Sequence, residues 1–226
     1  QARDALAPVR FGTKPQHVLV TGGTGFIGQI LVRHLLADGH AVTVWTRDAR
    51  SAAWGFGGAV RCVQSLHQVP AADHVDVVVN LAGARILGMR WSERRRQQLL
   101  RSREGLTQQL VAWIATRPRK PWLLLSGSAI GYYGVQPQGD AAELAEDAPP
   151  QDIFMSQLCQ RWEQAARDGA IAAVVRNLLD VHYDPIYLAS LWRNFAAVDA
   201  PLATLRWSGD SESLAAAAAQ AIAAAA

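Results

Sequence analysis

The sequence predicts an α/β fold built on a doubly wound parallel sheet, and three observations predict it. The run Val18-Leu19-Val20 leads straight into glycines at 22, 25 and 28, with Ile27, Ile30, Leu31 and Leu35 following at helical spacing. Strand-like and helix-like stretches then alternate along the chain, as expected for βαβ units whose strands run parallel. Around Val77-Val78-Val79 the stretch 75–81 reads as a central parallel strand, apolar on both faces, fenced by Asp73 and Gly83.

The elements follow in order. Residues 1–16 carry no initiator Met and mix Pro8, Gly12 and Pro15 with charges, which reads as a linker or trimmed tail and leaves an upstream domain open. A strand begins at 17, and a helix over 26–37 ends at Asp38-Gly39-His40. The second strand spans 41–45. Residues 47–58 read as a short crossover in which Gly55, Gly57 and Gly58 weaken any helix, ahead of a third strand near 60–63. Ser92 is placed to cap a long helix, with Glu93 in its first turn and Leu99, Leu100, Leu106, Leu110, Val111 and Ile114 along it as far as Arg117-Pro118. A fifth strand is expected at 121–125, a helix at 152–167 and a sixth strand at 171–176. The dinucleotide-binding domain therefore spans 17–178, with a partial carboxy-terminal region at 179–226. Residues 181–208 show no clear period, and 215–226 are alanine apart from Gln220 and Ile222, a composition of high helix propensity that specifies no packing.

Composition narrows the function classes. The 226 residues, half of them hydrophobic, suffice for one sizeable core or for one domain and part of a second. No run approaches the roughly 18 apolar residues of a membrane span, and the first 16 residues lack the apolar segment of a secretory signal. The two cysteines, Cys62 and Cys159, are far apart and match neither a disulfide framework nor a zinc site, so a reducing cytoplasm is expected and no metal. The net charge is +3, but the basic excess sits in residues 85–103 without interleaved aromatics, which argues against a nucleic-acid partner.

The candidate site is read at the carboxyl ends of the strands, where sheets of this class hold ligands. At the glycine turn, Gly22 permits the tight turn, Gly25 lets backbone approach a pyrophosphate and Gly28 allows close packing. Thr24, Phe26 and Ile27 belong to the same loop and helix start, whose N–H groups and dipole favour an anion. After the second strand, Thr46 stands where an acid would bind the ribose 2′-hydroxyl, and Arg47 follows. That pairing favours NADP(H), with NAD kept open by Asp48. Leu81, Ala82 and Gly83 line the adenine and ribose side, and Ser126 ends the fifth strand. Ser128, Tyr132 and Tyr133 stand beside the expected nicotinamide, where a serine hydroxyl can hold a substrate oxygen and a phenol can act as acid or base. Of the arginines after the fourth strand, Arg85 and Arg90 are placed to clamp a diphosphate or carboxylate.

Together, Thr21-Gly22-Gly23-Thr24-Gly25-Phe26-Ile27-Gly28, Asn80-Leu81-Ala82-Gly83, Ser102-Arg103 followed by Thr107, Ser126-Gly127-Ser128-Ala129 with Gly131-Tyr132-Tyr133-Gly134, and Arg161-Trp162-Glu163 resemble the atypical extended short-chain dehydrogenase/reductases described as NAD(P)-dependent sugar-nucleotide epimerases. The resemblance covers about residues 17–178. It implies a Rossmann fold, NADP(H) or NAD at the glycine loop, and a small carboxy-terminal substrate domain. It also implies that Ser128 is the serine after the fifth strand. The family's Tyr-x-x-x-Lys pair is absent: Gln157 stands at the lysine position, with Ile153 four residues before it. Two functions are therefore expected. One is an NADP(H)-dependent epimerase or oxidoreductase acting on a nucleotide-sugar or small carbonyl substrate, with a homodimer left open; the other is a catalytically degenerate NADP(H)-binding regulatory or redox-sensing protein.

Overall fold

The computed structural model describes residues 14–86, 92–135 and 148–169, and the backbone of 172–175 and 204–205. Its sheet has seven strands: β1 (His17–Thr21), β2 (Ala41–Trp45), β3 (Arg61–Val63), β4 (Val77–Asn80), β5 (Leu123–Gly127), β6 (Ala172–Val175) and β7 (Thr204–Leu205). All neighbours pair parallel, in the order β3-β2-β1-β4-β5-β6-β7. The chain starts in the middle, winds one way to β3, then crosses to β4 on the other side of β1. The reversal lies between β1 and β4, where loops from the two halves diverge and leave a crevice at their carboxyl ends.

Alternation along the strands explains why both faces are covered. Val18, Val20, Val77, Val79, Leu123 and Leu125 point to one core with Leu31, Val32 and Leu35 of α1 (Phe26–Ala37). Leu19, Val78 and Leu124 point to the other, against Leu110, Trp113 and Ile114 of α4 (Leu106–Ala115) and Ala166 of α5 (Phe154–Arg167). Each of these strand side chains is at most 4 % exposed, so a polar residue at any of them would be stranded without water.

Several boundaries depart from the sequence expectation for local reasons. Residues 47–58 do contain a helix, α2 (Ala49–Gly55): Asp48 caps it by accepting from the Ser51 N–H at 3.0 Å, and the glycines fall at or after its end. Gly57 and Gly58 there take φ of +61° and +76°, the left-handed backbone that terminates helices. β5 begins two residues late, because Pro121 has no N–H and the Trp122 N–H is spent on the Asp76 carbonyl at 2.9 Å. The long helix is broken in phase: α3 (Glu93–Leu100), capped by Ser92, runs through a π turn (Arg101–Gly105) into α4. β7 falls within the stretch that showed no period. Gln16 is held beside the sheet, its carbonyl accepting from Ala41 and its N–H donating to His40, whereas residues 1–13, 176–203 and 206–226 lie outside those described. No helix among the described residues is long and apolar enough to cross a membrane.

Candidate dinucleotide and substrate site

The glycine loop is folded so tightly that side chains cannot replace its hydrogens. Gly22 sits at φ +67°, and a Cβ on it would stand 2.7 Å from the Leu81 carbonyl carbon and oxygen. A Cβ on Gly28 would stand 2.2 Å from the Gly22 oxygen, and one on Gly25 3.1 Å from the same atom. Gly28 thus packs against the loop itself. The turn is closed by the Gly25 N–H donating to the Gly22 carbonyl at 2.9 Å, and no side chain caps α1. Thr24 and Phe26 are exposed at the rim, whereas Ile27 packs onto the core and can offer a ligand only its backbone.

The loop after β4 is pressed onto this turn by a buried polar knot. Thr21 Oγ1 accepts from the Leu81 and Ala82 N–H groups at 3.2 and 3.1 Å and donates to Asn80 Oδ1 at 2.7 Å. Asn80 Nδ2 donates to Thr107 Oγ1 at 2.8 Å and to Ser126 Oγ at 3.1 Å. All four side chains are fully buried, so the knot ties β1, β4, β5 and α4 together at the carboxyl edge of the sheet. Ser126, expected at the cofactor, has its hydroxyl inside this knot. Thr21, Asn80 and Thr107 had only motif positions in the sequence. A polar residue ending each of three apolar strands was the available signal.

Beyond β2, Thr24 and Gln29 from the glycine loop and α1 meet Thr46, Arg47, Asp48 and Ser51 around a cleft of about 420 Å³. The Asp48 carboxylate is engaged as the α2 cap. Arg47 is exposed, and its guanidinium makes no ion pair or hydrogen bond among the described residues. The cleft therefore presents a guanidinium that makes no ion pair among the described residues.

At the other end of the crevice, Ser128 is 7 % exposed and its hydroxyl donates to Glu163 Oε1 at 2.8 Å. Glu163 is fully buried, and Arg167 donates to its Oε2 at 2.8 Å. Tyr132 and Tyr133 are nearly buried and pack edge-to-face with each other, centroids 5.4 Å apart, beside Ala129 and Cys159. Burial, reinforced by Glu163, pushes the Cys159 thiol up to about 11, so the sulfur is a protonated neighbour of Ser128 at neutral pH. Gln157, at the place of the absent lysine, is exposed and donates to Asp152 Oδ1 at 2.6 Å.

The two arginines expected to clamp an anion lie after β4. Arg85 is exposed, with only its carbonyl engaged by the Arg95 guanidinium, and Arg90 lies outside the described residues. Among the described arginines of that segment, the buried one is Arg103, on the π turn. Its guanidinium donates to the Ala84 carbonyl at 3.1 Å and lies 5.3 Å from the Trp162 ring centre. It passes so close under Gly83 that a Cβ there would stand 2.9 Å from Cζ. Its neighbour Ser102 accepts from the Ala84 N–H at 3.0 Å, so two consecutive side chains hold one residue of the loop by both of its backbone groups. Among the described residues no group of three His, Cys, Asp or Glu side chains could hold a metal ion.

The sequence-predicted residues thus fall into three adjoining groups: Gly22, Gly25 and Gly28 with Leu81 and Ala82; Thr24 with Thr46 and Arg47; and Ser128 with Tyr132 and Tyr133. Gly83 belongs with Arg103, and Ser126 with Asn80.

Comparison with known proteins identifies the family. The chain is 39% identical over 168 residues to human epimerase family protein SDR39U1, covering 71% of this chain and 53% of that protein. It is 34% identical over 152 residues to epimerase family protein YfhF of Bacillus subtilis, covering 66% of this chain and 48% of that one. It thus spans about half the length of these curated relatives. The crystal structure of human SDR39U1 (isoform 2) with NADPH superposes with a TM-score of 0.57 at 37% identity, over 71% of this chain and 52% of that one. The profile of the NAD dependent epimerase/dehydratase family matches residues 18–182, and the chain belongs to that family.

Proposed function

We propose that the chain binds NADP(H) along the carboxyl edge of the sheet and is an epimerase-like oxidoreductase acting on a sugar-like or carbonyl substrate. Residues 17–178 form the dinucleotide-binding unit. The observation that carries the cofactor choice is the cleft at the end of β2: Arg47 lacks a counter-ion among the described residues, and Asp48 is taken by the α2 cap. A 2′-phosphate neutralises Arg47 there, whereas a 2′-hydroxyl leaves it unanswered. The NADPH in the human relative's structure supports the same choice.

The residues fit such a group. The Cβ-free cradle at Gly22, Gly25 and Gly28 admits a pyrophosphate onto the uncapped start of α1, and Thr24, Gln29 and Ser51 offer polar atoms beside the ribose. When bound, the nicotinamide supplies or accepts a hydride at C4. Ser128, having given its proton to Glu163 in a hydrogen bond, keeps lone pairs that accept from a substrate hydroxyl and fix its oxygen. Tyr132 or Tyr133 serves as the acid or base. The alternative, a binding protein that reports cofactor state without turnover, is favoured by one observation: Gln157 stands where the proton-relay lysine is expected, turned to Asp152.

Fluorescence titration with NADPH and NADH tests the cofactor reading. The chain is expected to prefer NADPH, and Arg47→Ala to weaken NADPH by about tenfold or more while leaving NADH unchanged, the loss of one charge-assisted contact. Failure to bind either dinucleotide overturns both functions. NADPH consumption with a panel of carbonyl compounds and nucleotide sugars then separates them, since tight binding without turnover selects the reporter.

A further inference from the structure

Two buried donors near Ser128 have no acceptor among the described residues that accounts for them. Arg103 is 7 % exposed, and among the described residues no carboxylate pairs with it. Its protein acceptors are the Ala84 carbonyl and, at 3.4 Å, the Ser102 hydroxyl, which leaves donors over from the five N–H bonds of a guanidinium. The nearby thiol of Cys159 stays protonated and offers no compensating charge, while Arg95 adds a second positive one. Burial accordingly pulls the Arg103 guanidinium below its usual range. A buried cation of this kind is costly unless something neutralises it.

The second donor is Trp162 Nε1–H. Trp162 is 6 % exposed, and its indole nitrogen is buried without a hydrogen-bond partner among the described residues. A buried N–H left unpaired costs roughly 1–3 kcal/mol, so such groups call for an acceptor. The Arg103 guanidinium stacks over this same indole. The residue after Trp162 is Glu163, which holds the Ser128 hydroxyl, and Cys159, one turn earlier, touches Ser128. The two donors and the serine are therefore parts of one packed unit formed by α5, the π turn and the loop after β5.

We propose that Arg103 and Trp162 Nε1–H form an anion subsite that receives a carboxylate or phosphate of the substrate whose reacting oxygen Ser128 holds, so that the chain acts on acidic substrates. Carboxylates and phosphates carry several acceptor oxygens on one centre, and so satisfy a guanidinium and an indole N–H together. A neutral sugar or simple ketone leaves the cation unanswered. Gly83 fits the same purpose, since its missing side chain lets the guanidinium lie close beneath the open edge of the crevice. The inference rests on the reading of Ser128 given above, and its test separates the two.

The full chain, first titrated with NADPH, is then saturated with NADP⁺ and titrated calorimetrically with inorganic phosphate, malonate and UDP. At least one of these anions is expected to bind the wild type. Arg103→Met should weaken that binding by about tenfold or more and Trp162→Phe by roughly threefold to tenfold, with NADPH affinity changed less than about twofold. Arg103→Lys, which keeps the charge, should recover part of the loss, and melting curves identify any variant that fails to fold. The proposal is overturned if none of the three anions binds the NADP⁺-loaded chain, or if they bind both variants as they bind the wild type. It is equally overturned if NADPH affinity falls in step with anion affinity, because the guanidinium then serves the dinucleotide. Absence of NADPH binding, with anions still bound through Arg103, would remove the cofactor reading alone.

Discussion

Asn80→Ala removes the centre of the polar knot at the carboxyl edge of the sheet. The amide is fully buried and makes three side-chain hydrogen bonds, to Thr21, Thr107 and Ser126, at 2.7, 2.8 and 3.1 Å. Alanine forfeits all three and leaves three buried hydroxyls each short of a partner, at about 1 kcal/mol apiece, with a small cavity in addition. The expected loss is about 3–4 kcal/mol. With a urea dependence of about 2–3 kcal/mol per molar, the denaturation midpoint should fall by roughly 1–2 M. Because Thr21 Oγ1 also receives the Leu81 and Ala82 N–H groups, loosening the knot should weaken NADPH binding as well. A double-mutant cycle with Thr107→Val isolates the direct bond and should return a coupling of about 1 kcal/mol. A midpoint shift below about 0.3 M, or strictly additive single and double mutants, would refute the claim that this network holds the edge together.

Three further outcomes are expected. Gly28→Ala drives a methyl to 2.2 Å from the Gly22 carbonyl, a backbone atom that cannot step aside, so titration should show NADPH binding weakened by more than about tenfold. Arg117→Met should cost about 3–4 kcal/mol in urea denaturation: the nearly buried guanidinium donates to the carbonyls of Val69, Pro70, Ala71 and Asp73 and lies 4.8 Å from the Trp113 ring centre. For Cys159, the thiol is protonated in both folded and unfolded chains below pH 9. Between pH 9 and about 11 only the unfolded chain ionises, so stability should decline with rising pH by up to about 2–3 kcal/mol, and Cys159→Ala should flatten that part of the stability curve.

The glycine loop and the sheet around it were legible because their signals are local. Val18 to Val20 and Val77 to Val79 are apolar on both faces, and glycine is the residue that a φ of +67° at position 22 favours. The α2 helix was obscured because glycine weakens a helix interior but ends a helix at its carboxyl terminus, and here Gly55, Gly57 and Gly58 fall at or after the end of a helix that Asp48 starts. The choice of arginine was not legible. Arg85 and Arg103 are equivalent as letters, but Arg103 is buried on the π turn, which has no sequence signature, whereas Arg85 is exposed in the loop after β4. Glu163 was visible as part of a motif, but its role depends on a contact 35 residues away, to Ser128.

The π turn also acts as a phase adjuster. Each residue of an α-helix advances the side-chain direction by about 100°, so an extra residue in regular geometry would rotate everything upstream of it against everything downstream, and a turn that closes on five residues takes it up without that rotation. Leu110 and Ile114 on one side and Leu99 on the other are all buried, and each half keeps its apolar residues inward because the turn absorbs the mismatch. Deleting a single residue at 104 would take out the residue that the turn absorbs and leave a regular helix with its two halves facing as they do now, whereas holding all five residues in regular α geometry would swing α3 by about a quarter turn and carry the Arg95 guanidinium off the Arg85 carbonyl. What these contacts fix is therefore the direction in which each half faces, not the number of residues. A further insertion with no second turn of this kind would uncouple the loop after β4 from the helix that holds it.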